Sequence, residues 1–170
     1  MENNSRNDKI EMLKHTMDRY DHYYDSINNK GNLYLTLNTF LFGGIITGYY
    51  AIKESISGRC DILFFAWICL ISCLLSLGFT LGAIIPHVNK QAGRNNGSVL
   101  FFGDVSNHSF AGFKKKYDEI TEDKTYEDYL QQVHLLASGL YKKFRRLQWA
   151  TYLLGLCFFC ILIIGFKILK

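Results

Sequence analysis

The sequence is short of proline: a single one, Pro86, stands among 170 residues. Long helices can therefore run without the break that proline causes by removing an N–H and crowding the preceding turn. The signatures of enzyme chemistry are also missing. There is no Gly-x-Ser-x-Gly elbow, no glycine-rich phosphate loop and no set of ligands at metal spacing. Catalysis is not expected, and neither a metal nor another resident cofactor is implied. The five cysteines, Cys60, Cys69, Cys73, Cys157 and Cys160, are odd in number and lie in or beside apolar stretches, which excludes a disulfide framework. Cys157 and Cys160 have the spacing of half a zinc site, but no second pair exists, so packing is the expected role. The net charge of +4 is small and spread along the chain, too little to hold duplex nucleic acid. The first thirty residues are polar throughout, so no cleaved signal is expected, and Met1-Glu2 does not fit N-myristoylation.

Charge itself is missing from three windows, 31–52, 62–86 and 147–166. Each reaches the roughly 20 residues needed to cross a hydrocarbon core of ~30 Å. The expected fold is an all-α integral membrane protein with three transmembrane helices and a cytoplasmic helical, coiled-coil-like region. A cytoplasmic amphipathic helix is assigned to 1–30, transmembrane helices to 31–52, 62–86 and 147–168, and a cytoplasmic sensing region to 87–146. Lys and Arg number five before the first span, two in the loop at 53–61, ten in 87–146 and two at the end. The positive-inside rule then puts the N-terminus and 87–146 in the cytoplasm and the last residues in the periplasm of a bacterial inner membrane. The three Asn-x-Ser sequons, at Asn3, Asn96 and Asn107, stay away from glycosylation in that topology.

Ile10, Leu13, Met17, Tyr20, Tyr24 and Ile27 recur in steps of three and four, a heptad seam on a helix that leads into the first span. Tyr126, Leu130, Val133, Ala137, Leu140, Phe144 and Leu147 form a second seam ahead of the third. The two seams are expected to pack together or around a symmetry axis. Between them, Ser106 or Ser109 is placed to cap a helix carrying Phe110, Phe113, Tyr117 and Ile120. Asp18, Asp21, His22 and Asp25 share one helix face and are read as solvated or paired with basic residues rather than as a metal site. Lys114, Lys115 and Lys116 read first as a solvated face.

The spans are uneven. At 100° per residue, Asn32, Thr36, Thr39, Gly43, Thr47 and Tyr50 share one side of the first, and Gly44 and Gly48 make a G-x-x-x-G pair on another. Cys69, Ser72, Cys73, Ser76 and Thr80 align on the second, opposite Gly78 and Gly82. Thr36, Thr39, Gly44, Gly48, Ser72 and Ser76 are thus candidates for helix packing or for a water-filled path between copies. The third span is apolar beyond Gln148 and Thr151. The expected partners are membrane lipid and further copies of the chain, a tetramer being one arrangement.

The blocks Tyr20-Asp-His-Tyr-Tyr-Asp-Ser-Ile-Asn-Asn-Lys30, Phe101-Phe-Gly-Asp-Val-Ser106 and Tyr141-Lys-Lys-Phe-Arg-Arg-Leu147, in this order around three spans, resemble the transmembrane effectors of bacterial Pycsar anti-phage systems. The resemblance runs from about Tyr20 to the third span. It implies an effector that answers a cyclic pyrimidine mononucleotide, made by a neighbouring cyclase on infection, by damaging the inner membrane in an abortive infection. The first block departs from that pattern in carrying Asn28-Asn29 ahead of Lys30, where an acidic residue is usual. A short oligonucleotide from a nucleotidyltransferase therefore stays open as the signal. Binding residues come from chemistry instead. Phe101 and Phe102 can stack on a base, Asp104 can accept from its edge, and Lys30, Arg94, Lys142 or Arg145 can neutralise phosphate. Two rivals stand beside this reading: an interaction protein whose helices dock a protein partner, and a holin-like toxin without a ligand.

Overall fold

The computed structural model describes residues 2–54, 56–85 and 98–169, with side chains from Arg6 onward. All regular elements among them are helices: α1 (Glu2–Ile52), α2 (Cys60–Ile84), α3 (Phe102–Ser106), α4 (Phe110–Asp118) and α5 (Glu122–Ile168). The protein is an all-α membrane protein, and α1, α2 and α5 are each long and apolar enough to cross a bilayer. With no proline to stop it, α1 passes Gly31 as one helix of 51 residues. The chain divides into two compact units, and each of the two longest helices contributes to both.

The first unit joins α1 up to Asp25 with the described residues of 98–141. Here the seam residues Ile10, Leu13, Met17, Tyr20 and Tyr24 are half-buried, while Glu11, Lys14, Asp18, Asp21, His22 and Asp25 are exposed. The partner is α5, running in the same direction. Arg6 pairs with Asp123, Lys14 lies 5.8 Å from the Tyr129 ring centre, and the Tyr24 hydroxyl donates to the Leu136 carbonyl at 3.0 Å. The α5 seam differs from its sequence reading. Leu130 is 42% exposed, whereas Asp128 and Gln132 are buried, because both hold the chain at Ser98. Polar partners thus decide which side of α5 faces inward in this stretch. Ser109 caps α4 by accepting from Gly112 N–H, and that helix stops at Asp118, before Ile120.

The second unit holds Ser26–Ile85 with the chain from Lys142 onward. Helix α2 runs against both neighbours. Along α5 its partners step in opposite directions: Gly82 with Arg146, Ser76 with Ala150, Cys69 with Cys157 and Arg59 with Lys167. At one end Gly31 lets α1 approach α2 closely, since a Cβ there would lie 2.6 Å from the Ile84 side chain. At the other end Lys167 reaches Asp61 at 2.6 Å. Phe40, Phe64, Trp67, Leu75, Phe159 and Leu162 point outward, as helices solvated by lipid require.

Tyr24 and Gly139 show how closely the first unit is packed. A Cβ on Gly139 would fall 2.6 Å from the Tyr24 hydroxyl oxygen. Gly139→Ala should therefore destabilise the first unit by roughly 1–3 kcal/mol, the range for overpacking. Tyr24→Phe loses one hydrogen bond, about 1 kcal/mol, yet also clears the clash. The double variant should then be more stable than the sum of the two single losses, a coupling that thermal unfolding of the purified protein measures. Burial, with the Asp21 charge second, raises the Tyr24 phenol above its ordinary 10.0. The neutral phenol is favoured by folding, so this contribution is complete below about pH 10 and lost as pH rises through the folded value. Tyr24→Phe should flatten that alkaline loss.

Candidate functional site

Phe101, Phe102 and Asp104 belong to the first unit, whereas Lys30, Lys142 and Arg145 belong to the second. Arg94 lies outside the described residues. Phe101 is half-buried with its ring over Gly103, and Phe102 is 67% exposed. Their ring centres are 5.0 Å apart at an angle of 50°. Asp104 is buried and accepts from the Ser98 N–H at 3.2 Å. Beside it, Asp128 accepts from the Ser98 hydroxyl at 2.7 Å, Val99 N–H at 2.9 Å and Leu100 N–H at 3.3 Å. The Ser98 oxygen in turn accepts from Phe101 N–H and the Gln132 amide. Two buried carboxylates and an amide thus clamp residues 98–101 and fix where both aromatic rings stand. Asp128 escapes sequence reasoning because its partners lie about thirty positions upstream and no local pattern signals them.

Lys30, Lys142 and Arg145 are exposed in the second unit, and neither Lys142 nor Arg145 makes an ion pair among the described residues. The alternate cations of the same block behave differently. Lys143 is buried and donates to the Ile84 carbonyl at 3.2 Å, and Arg146 donates to the Gly82 carbonyl. The block Lys142-Lys143-Phe144-Arg145-Arg146 is thereby split into two outward and two inward cations. Two positions from Lys30, the Asn28 side-chain oxygen is buried with no hydrogen-bond partner among the described residues. Such an atom is uncommon and calls for a donor.

Within the spans, Thr36, Thr39, Gly44 and Gly48 are exposed. The hydroxyls of Thr36, Thr39 and Thr47 each donate to the carbonyl four residues back, which satisfies them whatever they face. Nothing lies within 4 Å of a Cβ at Gly44 or Gly48. Ser72 and Ser76, by contrast, are buried inside the unit. Ser76 donates to the Ala150 carbonyl at 2.9 Å and accepts from the Asn38 amide at 3.1 Å. Asn38, fully buried, also donates to the Tyr34 carbonyl. It joins all three spans and was missing from the sequence candidates. Its signal was available: one of two amides in a charge-free window, on the opposite side of the helix from Thr36.

A family model described as Pycsar effector protein domain matches residues 12–169. The chain is also 38% identical over 63 residues to "Pycsar effector protein GmPycTM" of Gulbenkiania mobilis, a match covering 37% of this chain and 32% of that relative. The chain thus spans about a third of the length of the curated relative it matches. No solved structure matches.

The carboxylate clamp makes a direct prediction. Asp128→Ala leaves the Ser98 hydroxyl and the Val99 N–H without their acceptor, and the Leu100 N–H with the Ser98 oxygen alone. At roughly 1.5–3 kcal/mol for each hydrogen bond to a charged group, the loss should be at least about 3 kcal/mol. It should appear as a lower Tm and faster proteolysis near residue 98, while Arg145→Ala should leave both unchanged.

Proposed function

Because the chain belongs to the Pycsar effector family, we propose that it is an inner-membrane effector of anti-phage defence, gated by a nucleotide signal and acting by permeabilising or depolarising the membrane. The observation that carries this reading is the extent of the family match. It takes in the three spans together with the region between the second and third, so the likeness is not one of apolar segments alone.

The signal is a cyclic pyrimidine mononucleotide or a short oligonucleotide delivered by a neighbouring cyclase or nucleotidyltransferase. Lys142 and Arg145 of the second unit receive its phosphate, and Lys30 of the same unit adds a third cation. The unpartnered Asn28 oxygen supports a donor-bearing ligand near Lys30. The excursion that carries ten of the nineteen Lys and Arg residues faces the cytoplasm, where such a signal appears. Copies of the chain associate through the open faces of the spans, among them Gly44 and Gly48. Bound signal then favours an arrangement of spans that lets ions or small solutes through, with Thr36 and Thr39 on the outer face of α1 nearest that path. A ligand can do this only through different affinity for the two arrangements.

Isothermal calorimetry with cyclic CMP, cyclic UMP and short oligonucleotides tests the sensing step. One of them should bind wild type, and Arg145→Ala should weaken it about tenfold or more, from the ~1.5–3 kcal/mol of one hydrogen bond to a charged group. Binding by none of them would favour a protein partner in place of a nucleotide.

A further inference from the structure

A helix end leaves its last four carbonyls without partners inside the helix and concentrates partial negative charge there. At the C-terminus of α2 three of these four are met by described residues. Ile85 N–H bonds the Leu81 carbonyl at 2.9 Å, the Arg146 guanidinium bonds that of Gly82, and Lys143 Nζ bonds that of Ile84 at 3.2 Å. Two come from α5, so its cations fix where α2 ends. The Arg146 side chain lies over Gly82, its Cδ 3.7 Å from where a Cβ would stand.

On α5, Lys142 lies one turn before Arg146 and Arg145 directly precedes it, both exposed. At 100° per residue, positions 142, 145 and 146 fall within about 100° of one another. An anion held by the outward pair would thus sit on the side of α5 from which the Arg146 side chain starts. Phosphate is the better acceptor, since it takes the guanidinium fork through two charge-assisted bonds where a carbonyl takes one neutral oxygen's worth.

We propose that Arg146, with Lys143, is a cationic latch on the end of α2, and that a phosphate bound by Lys142 and Arg145 opens it by drawing Arg146 off the Gly82 carbonyl. This rests on the nucleotide-gated reading above and adds the point at which signal is converted into movement of a span. With the latch closed, the end of α2 is tied to α5. With it open, α2 loses these two ties to α5 and can change its position.

The latch makes the unusual prediction that losing a contact gains activity. In cells without a nucleotide cyclase, Arg146→Gln should depolarise the membrane, read with a voltage-sensitive dye, whereas wild type and Arg146→Lys should stay silent. Lys143→Gln, removing the other contact, should shift the same way to a smaller extent, and it is the variant to read if Arg146→Gln fails to accumulate in membranes. A merely structural role would instead lower protein level and activity together. If neither Gln variant depolarises without signal while present in membranes at wild-type amounts, the latch is overturned. The wild-type response on co-expressing a cyclase then tells separately whether nucleotide gating itself stands.

Discussion

A fully buried amide in the middle of a membrane segment constrains everything around it. Lipid offers the Asn38 side chain no hydrogen bond, so it must be satisfied by protein. It is satisfied by Ser76 of α2, which passes the bond on to the Ala150 carbonyl of α5. One chain of hydrogen bonds therefore crosses all three spans and fixes their relative register. The flanking contacts agree with that register, with the Cys69 and Cys157 sulfurs 3.1 Å apart on one side and the cationic end of α2 on the other. Bonds of this kind within membranes are worth only about 0.6–2 kcal/mol each. That is enough to define one arrangement and little enough for a ligand to overturn it.

The unit outside the spans uses the same device with charge instead of amide. Asp104 and Asp128 are buried, and each is spent on backbone and hydroxyl donors of 98–100. The rings of Phe101 and Phe102 are thereby presented on a rigid strap. Helices α1 and α5 pack in parallel within this unit and continue into the spans.

How far the sequence reveals this depends on whether the partner is local. The spans were legible because charge is absent from three windows, and the α1 seam because its steps of three and four need no knowledge of what it meets. Ser109 could be read as a cap because its acceptor role concerns an N–H three residues on. Asp128 could not, since its donors arrive through space. Lys143 and Lys142 look alike in sequence. Their helical phase is written there, but not the fact that the end of α2 lies on one side only. Leu130 was misplaced for the same reason: the inward side of α5 at this point is the opposite one, held by the buried Asp128 and Gln132. Thr39 and Ser72 were grouped by polarity, yet one is exposed and the other buried, a difference set by the neighbouring span.

The central claim is that one chain both receives a nucleotide and alters the permeability of its own membrane. Purified protein in liposomes carrying a potassium diffusion potential and a voltage-sensitive dye addresses it with nothing else present. Adding cyclic CMP, cyclic UMP or a short oligonucleotide on the side that holds residues 98–141 should collapse the potential within the dye's response, and empty liposomes should hold it. A potential that survives all of these ligands, in liposomes where the protein is shown to be inserted and oriented, would contradict the account.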